Sequence, residues 1–420
     1  MREMKDSGIE WIGEIPADWE LSKIGAVYEE RNEKVSDVDF QPLSVTKQGV
    51  VPQLETAAKT NDGENRKLIR KNDFVINSRS DRRGSCGISE YDGSCSLINT
   101  VLKPRRNMCN AYYSFVFRSE RFADEFYRWG NGIVDDLWST KWSNMKRIYI
   151  PAPSLQEQHR IADYLDRKCS QIDAIIARQQ EVIEKLKAYK LSVITEVVTK
   201  GLNPDVPMKD SGIEWIGEIP EHWKIGKLCF FTVRIGDGLH GTPEFDDKGE
   251  YYFINGNNLG ATYITIKENT KTVGLSEYNK YFIALDENTL LISLNGTIGS
   301  VSQYHGEQII LGKSAGYIIL DSRRDLTLDY LRFYLQSKSV KTLFELSFAG
   351  TTINNLSLET LRNLPVCIMT SEEQLQISKI LDKKCLEIES TIQKKQMLIE
   401  CLAAYKKSLI YEVVTGKKEV

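Results

Sequence analysis

Residues 4–19 read MKDSGIEWIGEIPADW, and residues 208–223 read MKDSGIEWIGEIPEHW. The two stretches, here called the short repeats, differ only at their fourteenth and fifteenth positions. A match of this length indicates that a unit of roughly 200 residues occurs twice in the chain. The protein is therefore predicted to be a tandem pair of domain-sized units, not a solenoid of many short repeats.

A helical pattern follows each short repeat after a long insert. A capping-box spelling at 154–157 (SLQE) and again at 370–373 (TSEE) marks the start of each helical region. In the first region, a short helix through Leu165 is predicted to lead into a long one. Apolar residues spaced alternately by four and three then form one stripe, typical of a coiled-coil seam. The seam positions are Ile172, Ile176, Gln179, Ile183, Leu186, Lys190, Val193 and Val197, and then Ile388, Ile392, Lys395, Ile399, Leu402, Lys406, Leu409 and Val413.

The two helical regions overlay when Gln158 is aligned with Gln374, and even their polar interruptions coincide. Lys190 matches Lys406, and Gln179 matches Lys395. Because polar seam residues fix the register of a coiled coil, we expect the two helices to pair with each other. An antiparallel pairing suits units related by a pseudo-twofold axis, while parallel pairing and separate packing of each helix on its own domain stay open. A helix of ~43 Å would suit two heads that meet DNA about one turn, ~34 Å, apart.

The inserts at 20–150 and 224–364 have diverged, although their textures are similar. Both are rich in short strands and in Gly, Asn and Asp turns, and each contains one helix-like stretch, at 111–132 and 328–346. This pattern predicts an α+β fold without the regular alternation of a doubly wound sheet. The predicted division of the chain is 1–150, 151–203, 204–364 and 365–420.

Composition is that of an ordinary globular protein. Apolar residues make up 41% and charged residues 27%, the formal net charge is −3, and the pI is near 6.0. A nucleic-acid binder of this kind must concentrate its positive charge locally. The eight cysteines show no C-x-x-C pair, and Cys169 and Cys385 are predicted to be buried small side chains. Charge follows Met1 and no apolar run reaches ~18–20 residues, so a cytoplasmic protein without a signal peptide is expected.

No arrangement of residues in the sequence is typical of catalysis. The four histidines, at 159, 222, 240 and 305, form no metal-spaced cluster and no evident Ser/His/Asp set. Gly306–Ser314 resembles a phosphate loop, but five residues separate its glycines where four are needed. It is better interpreted as a strand followed by a loop. We therefore expect no catalytic residue, no metal site and no cofactor site on this chain.

Local positive charge lies in the first insert, above all at 77–84 (NSRSDRRG). Arg can bind guanine and Asn can bind adenine through two hydrogen bonds, each worth ~1–3 kcal/mol of discrimination. A solvated charged loop is the alternative. The second insert offers Gly/Asn loops, which are equally typical of hairpin turns. The candidate DNA-binding residues are Lys47, Gln48, Asn77, Ser78, Arg79, Arg82, Arg83, Thr140 and Lys141 in the first insert, and His240, Thr242, Asn257, Asn258, Asn295, Thr297, Lys313, Thr352 and Asn354 in the second.

This layout resembles the specificity subunit of type I restriction–modification enzymes. The resemblance is carried by SGIEWIGEIPxxW at both unit starts, by PSLQEQHRIADYLDRK and TSEEQLQISKILDKK at the helix starts, and by LKAYKLSVITEVVTKG and LAAYKKSLIYEVVTGK at the helix ends. It implies two α/β target-recognition domains, separated by two long helices that form an antiparallel coiled coil. Each domain would read one half of an asymmetric, interrupted DNA site.

The resemblance also implies partners. Two adenine-methylating modification subunits would dock on the helices, and restriction subunits with translocase and nuclease activity would join them. S-adenosylmethionine, ATP and Mg would then act on the partners, and this chain would be non-catalytic. The other interpretations are a coiled-coil scaffold that binds proteins but no DNA, and a fused methyltransferase or endonuclease. One departure is that the second insert lacks a basic cluster comparable to Arg79–Arg83.

Overall fold

The computed structural model describes residues 2–53, 63–79, 82–105, 107–132, 138–260, 262–348 and 354–420. The chain divides into two compact units. Unit 1 combines Met1–Gln180 with Gln396–Val420, and unit 2 is Glu181–Lys395. Each unit contains one short repeat, one insert and a segment of each long helix. The division into four segments predicted from the sequence differs, because it assigns each long helix to a segment of its own. That division stays a prediction.

Unit 1 is built mainly from short antiparallel strands. The elements are β1 (Met4–Asp6), β2 (Glu14–Pro16), β3 (Glu20–Lys23), α1 (Ile24–Val27), β4 (Tyr28–Glu30), β5 (Lys34–Val35), β6 (Leu43–Thr46), β7 (Gly49–Pro52), β8 (Arg66–Ile69), β9 (Phe74–Asn77), β10 (Cys86–Ile88), β11 (Gly93–Cys95), β12 (Asn99–Pro104), α2 (Asn110–Arg118), α3 (Glu120–Arg128), α4 (Trp142–Met145) and β13 (Tyr149–Ala152), followed by the start of α5 (Leu155–Lys200). A four-stranded sheet has the order β10-β9-β12-β4, a three-stranded sheet the order β11-β8-β5, and three further pairs are β1-β2, β6-β7 and β3-β13.

Unit 2 repeats this plan with a different second sheet. Its elements are β14 (Met208–Asp210), β15 (Glu218–Pro220), β16 (Lys224–Lys227), β17 (Thr232–Asp237), β18 (Tyr251–Ile254), β19 (Thr272–Val273), α6 (Leu275–Tyr281), β20 (Thr289–Ser293), β21 (Val301–Gln303), β22 (Ile309–Leu311), β23 (Ala315–Leu320), α7 (Leu328–Gln336), α8 (Lys338–Ser347), α9 (Leu358–Arg362), β24 (Pro365–Ile368) and α10 (Ser371–Val414). The sheet β21-β20-β23-β17 matches the four-stranded sheet of unit 1. In the sheet β19-β18-β22, however, β18 and β22 run parallel. The predicted α+β class is confirmed.

The long helix α5 is continuous over 46 residues, so the predicted break near Leu165 was wrong. It begins directly after Ser154, whose hydroxyl oxygen accepts a hydrogen bond from the Glu157 backbone N–H at 3.3 Å. Residues 155–200 contain neither Gly nor Pro, so no helix-breaking residue separates the short segment from the long one. Helix α10 begins at the second capping signal, as predicted, and its Thr370 bonds the Glu373 N–H in the same way.

The predicted seam is confirmed, and the helices run antiparallel. In unit 1, Lys406 of α10 donates to both carboxylate oxygens of Asp173 on α5, at 2.7 and 2.6 Å. In unit 2, Lys190 of α5 forms an ion pair with Glu389 of α10. A later residue of α5 thus meets an earlier residue of α10, which excludes the parallel alternative. All sixteen seam residues are buried or half-buried, whereas most of the other positions along the middle of the helices are exposed.

The helix-like stretch in each insert is two helices, where the sequence predicted one. The break falls at Ser119 between α2 and α3, and at Ser337 between α7 and α8. Both serines have extended backbones, with φ/ψ of −67°/142° and −64°/154°. Ser337 caps α8 by accepting a hydrogen bond from the Val340 N–H at 3.3 Å. Serine favours a cap over a helix interior because its hydroxyl competes for backbone partners.

The short repeats pack into the units through their tryptophans. Trp19 and Trp223 are fully buried. Their indole N–H groups donate to Glu157 at 3.0 Å and to Glu373 at 3.1 Å, in the first turn of α5 and of α10. Of the remaining repeat tryptophans, Trp11 is buried and contacts the Phe122 ring edge-on at 5.5 Å, and Trp215 is half-buried. The repeats are therefore framework that fixes the start of each long helix.

Two buried tyrosines bind the opposite ends of these helices. Tyr112 of α2 donates its hydroxyl proton to the Val414 carbonyl at 2.9 Å in unit 1. Tyr330 of α7 donates to the Val198 carbonyl at 3.0 Å in unit 2. Burial raises the pKa of both hydroxyls well above the usual value, so they remain protonated donors. Each hydroxyl group bonds a carbonyl in the last turn of a helix, where no N–H group of the helix is available as a partner.

All eight cysteines are free thiols, and Cys169 and Cys385 are buried as predicted. Across the ranges given above, no helix is long and apolar enough to cross a membrane.

Candidate nucleic-acid interface

The loop after β9 in unit 1 is anchored to a segment far away in the sequence. Asn77 ends the strand, and its side-chain oxygen accepts the Arg79 N–H at 3.0 Å. The Ser78 carbonyl accepts the Thr140 N–H at 2.9 Å, and Arg79 forms an antiparallel bridge with Ser139. The fold therefore brings together two of the predicted groups, at 77–79 and at 140–141. We call 78–79, 82–84 and 138–141 the unit 1 recognition loops.

Burial divides the predicted residues of these loops into two kinds. The side chains of Asn77 and Thr140 are buried, and the Thr140 hydroxyl donates to the Phe126 carbonyl at 2.6 Å. They hold the loops in place. The arginine and lysine positions are exposed instead: Arg79, Arg82, Arg83 and Lys141.

The exposed arginines are not equivalent. Arg83 pairs with Asp124 at 3.1 Å, and its guanidinium lies over the Tyr127 ring at 3.9 Å. Its position is therefore fixed by α3. Within the described residues, the Arg79 guanidinium makes no hydrogen bond or ion pair. A cation at such a position is available to a phosphate or a base edge.

Lys47 and Gln48 lie at an exposed hairpin turn between β6 and β7. The Thr46 hydroxyl accepts the Gln48 N–H at 3.1 Å and donates to the Gly49 carbonyl at 3.0 Å. The Lys47 carbonyl accepts a hydrogen bond from Arg118 at the end of α2, at 3.3 Å. The turn is thus held by its own backbone and by α2, which leaves both predicted side chains exposed.

A cleft lies between the unit 1 recognition loops and α3. Its free volume is about 20 Å³, which is room for one group of the size of a water molecule or a methyl. Five aromatic rings line one side of it. The rings are those of Phe117, Phe122, Phe126, Tyr127 and Trp138, and the loop side lies at Asn77, Ser78, Arg79, Arg83 and Thr140.

Unit 2 repeats the construction of the loop after β9. The alignment that overlays the long helices also places Ser78 on Leu294 and Thr140 on Leu356. The Leu294 carbonyl accepts the Leu356 N–H at 2.9 Å, and Asn295 forms an antiparallel bridge with Asn355. Backbone geometry is therefore the same in both units, while the side chains at equal positions differ.

Three predicted loops of unit 2 join at Gly256. Its N–H donates to the Ser314 hydroxyl oxygen at 2.9 Å, and its carbonyl accepts the Thr297 hydroxyl proton at 3.0 Å. The Ser314 hydroxyl in turn donates to the Asn255 side-chain oxygen at 3.0 Å. A Cβ on Gly256 would lie 2.3 Å from the Ser293 hydroxyl oxygen, so only glycine permits this junction. We call 255–258, 294–299, 312–314 and 354–356 the unit 2 recognition loops.

The remaining predicted residues of unit 2 also divide by burial. Asn258 is buried, accepts the Asn255 N–H at 3.0 Å and donates to the Thr265 carbonyl at 3.0 Å, so it shapes the 255–258 turn. His240 is exposed and bonds Asp237 at 2.6 Å. The predicted position Thr352 lies outside the described residues. Asn295 is half-buried. The other exposed residues are Thr242, Asn257, Thr297, Lys313 and Asn354.

Sequence reasoning missed the residues that hold the loops. Ser139 forms the backbone bridge with Arg79, and Asn355 forms the one with Asn295. Ser314 links two loops of unit 2. The alignment found first in the helices also relates Ser139 to Asn355. Extending that comparison into the inserts would have identified this pair. Gly306–Ser314 contains β22 followed by a turn, as predicted.

No group of three or more His, Cys, Asp or Glu side chains in the described part of the chain could hold a metal ion.

Two units built on one repeated framework, each with a segment of both antiparallel helices and its own divergent polar loops, define a recognition protein with two different loop sets. Residues 16–185 and 221–398 match the family model described as "Type I restriction modification DNA specificity domain". The chain belongs to this family and is a specificity subunit of a type I restriction–modification system.

Relatives and solved structures agree with this assignment. The type I restriction enzyme MjaVIII specificity subunit of Methanocaldococcus jannaschii is 25% identical over 428 residues, which cover 97% of this chain and 94% of that protein. The StySPI specificity subunit of Salmonella potsdam is 24% identical over 342 residues, covering 75% and 68%. A chain from a solved type I R-M system structure superposes with a TM-score of 0.72 at 15% identity, covering 96% of this chain and 99% of that one. The HsdS subunit from Thermoanaerobacter tengcongensis gives 0.53 at 14%, covering 96% and 98%. These two structures share the fold.

Proposed function

We propose that this specificity subunit reads a bipartite, asymmetric DNA target and directs adenine methylation or cleavage by partner subunits. The observation that carries the proposal is the equal construction of the two loop sets with unequal side chains. Arg79 and Asn295 occupy the same bridged position in the two units. Arginine favours guanine in the major groove. The Asn295 side-chain oxygen is buried, and unit 2 instead exposes other amide side chains near it, Asn257 and Asn354. Two such readers would recognise two different half-sites.

Exposed side chains of the recognition loops contact DNA in this proposal, and buried ones support the loops. The buried group is Asn77, Thr140 and Asn258. The contact group is Lys47, Gln48, Arg79, Arg82, Arg83 and Lys141 in unit 1, and His240, Thr242, Asn257, Thr297, Lys313 and Asn354 in unit 2. Ser78 and Asn295 are half-buried at the loop tips and contribute mainly through their backbone.

The chemistry belongs to partners in this proposal. Two modification subunits would methylate adenine with S-adenosylmethionine, and restriction subunits would use ATP and Mg to translocate and cleave DNA. The specificity subunit itself would be non-catalytic and would act in the cytoplasm. These statements rest on the family membership of the chain.

The decisive experiment assembles the full chain with its cognate modification subunit. The complex is expressed in a host without other adenine methylation, and methylated positions are read genome-wide by single-molecule sequencing. We expect one interrupted motif with two dissimilar halves. The chain without its partner serves as the control and should leave the genome unmethylated.

Three other outcomes contradict the proposal. Assembly without patterned methylation would favour a coiled-coil scaffold that does not read DNA. Methylation by the chain alone would favour a fused methyltransferase. A motif with two identical halves would contradict the assignment of different half-sites to the two units.

A further inference from the structure

The cleft under the unit 1 recognition loops has an apolar interior. Phe117, Phe122 and Phe126 form its floor and are almost completely buried. Tyr127 and Trp138 form its mouth and are half-buried. The Trp138 indole N–H donates to the Tyr127 carbonyl at 2.9 Å, so this ring is held in place and its polar atom is occupied.

The Ser78 and Thr140 hydroxyl groups beside the cleft are occupied as well. Ser78 donates to the Ile98 carbonyl, and Thr140 donates to the Phe126 carbonyl at 2.6 Å. The side-chain oxygen of Asn77 accepts the Arg79 N–H. The three phenylalanines offer no hydrogen-bond partner, so a polar ligand group that reached them would lose water without a replacement, which is unfavourable. A small apolar group would gain from the same exchange.

Unit 2 places larger apolar side chains at the corresponding positions. Leu294 and Leu356 occupy the positions of Ser78 and Thr140, and both are buried in the core of unit 2. When Ser337 is aligned with Ser119, Phe344 is the counterpart of Phe126. Its side chain packs 3.2 Å from the position of a Cβ on Gly299. The small side chains beside the unit 1 cleft therefore belong to the unit 1 sequence and not to the shared framework.

DNA presents one apolar group on the edges of its bases, which is the C5-methyl group of thymine in the major groove. Its size matches the free volume of about 20 Å³. Arg79 lies at the rim of the cleft with its guanidinium unpaired within the described residues, where it can bind an adjacent guanine or phosphate. We infer that the cleft receives a thymine methyl group and makes thymine part of the half-site that unit 1 reads. This inference rests on the proposed function.

The test uses the assembled methyltransferase complex and synthetic duplexes of its motif. Each thymine of the motif is replaced in turn by deoxyuridine, which removes only the methyl group. We expect one replacement, in one half-site, to weaken binding roughly fourfold, the effect of burying one methyl group. Replacement of the same thymine by 5-bromodeoxyuridine, which restores a group of similar size, should recover the affinity. Deoxyuridine in the other half-site is the matched control.

A variant connects this effect to the cleft. Ala123 of α3 lines the cleft and is half-buried. Ala123→Leu should fill the cleft, so that the complex binds thymine and deoxyuridine duplexes equally. The deoxyuridine series on the unmodified protein does not depend on the folding of this variant.

Several outcomes would overturn the inference. The first is that the half-site changed by Arg79→Ala contains no thymine. The second is that deoxyuridine in that half-site does not weaken binding. The third is that deoxyuridine weakens binding by folded Ala123→Leu as much as binding by the unmodified protein. Absence of any bipartite motif would refute the proposed function itself, before the duplex experiments begin.

Discussion

Glu157 and Glu373 each join a short repeat to a long helix. Both accept the indole proton of a fully buried tryptophan, Trp19 or Trp223. Their second partners differ, because Glu157 also pairs with Arg2 at 2.6 Å and Glu373 bonds His222 at 3.1 Å. The tryptophan contact is therefore the shared part of the joint. Since each indole is buried, its N–H has no access to water as a replacement acceptor.

Removal of this acceptor should destabilise unit 1. Glu157→Ala leaves the buried Trp19 N–H unpaired, and we expect a loss of about 1–3 kcal/mol in the free energy of unfolding. Glu157→Gln retains an acceptor oxygen and should lose less. Urea unfolding followed by tryptophan fluorescence measures both. Equal losses for the Ala and Gln variants would mean that the ion pair with Arg2, and not the indole contact, carries the stability.

The cysteines should differ strongly in reactivity. Burial raises the pKa of Cys86, Cys95 and Cys367 to about 12, so almost none of each thiol is ionised at pH 8. Cys401 is exposed on α10. Iodoacetamide at pH 8 should therefore modify Cys401 rapidly and the three buried thiols only after unfolding. Peptide mass spectrometry measures the rates, with protein in guanidinium chloride as the control; fast modification of Cys86 in the folded protein would contradict its burial.

At the scale of elements, two of the three seam lysines pair with acids on the opposite helix. Lys190 with Glu389 and Lys406 with Asp173 occur at matching positions in the two units. Each lysine lies half-buried at an otherwise mainly apolar stripe. A parallel arrangement would not bring these residues together. The pairs therefore favour the observed register over shifted ones.

Reversal of one charge should weaken the pairing, and reversal of both should restore it. Lys406→Glu places a negative charge beside Asp173, and we expect destabilisation on the order of 0.2–1 kcal/mol because both groups are partly exposed. The double variant Lys406→Glu with Asp173→Lys should recover most of the loss. Melting temperatures of the four proteins in this cycle measure the coupling, and the same cycle at Lys190 and Glu389 is the matched control. Additive effects in both cycles would show that the pairs do not fix the register.

The sequence was sufficient to predict elements that depend on local pattern. The seam, the helix starts and the repeated framework follow from periodicity, capping residues and self-similarity. The split at Ser119 was missed because a serine within an aromatic amphipathic stretch is compatible with a helix until tertiary contacts select a cap. The parallel pairing of β18 with β22 could not be predicted, since strand partners are chosen by long-range packing. Loop contacts such as the bridge between Arg79 and Ser139 also depend on long-range packing, so the sequence did not predict them.

At the scale of the whole molecule, the two units differ in the charge of their recognition loops. Unit 1 exposes Arg79, Arg82, Arg83 and Lys141, whereas Lys313 is the exposed cation of the unit 2 recognition loops, as far as the structure describes them. Phosphate contacts from cations make DNA binding dependent on salt. We therefore attribute more of the salt dependence to unit 1 and expect neutral donors to carry more of the contacts in unit 2.

Substitutions in the two loop sets should accordingly change different halves of the target. Arg79→Ala should relax or weaken recognition of one half-site only, by ~1–3 kcal/mol if it binds a base. If it binds a phosphate, binding should weaken uniformly and the slope of log K against log salt should fall by about 1. Lys313→Ala is the matched variant and should weaken contacts to the bases or to the phosphates of the other half-site. Motif sequencing and salt titrations of the assembled complex distinguish these cases. If Arg79→Ala and Lys313→Ala changed the same half-site, the two units would not read different half-sites, and the proposed division of recognition between them would be wrong.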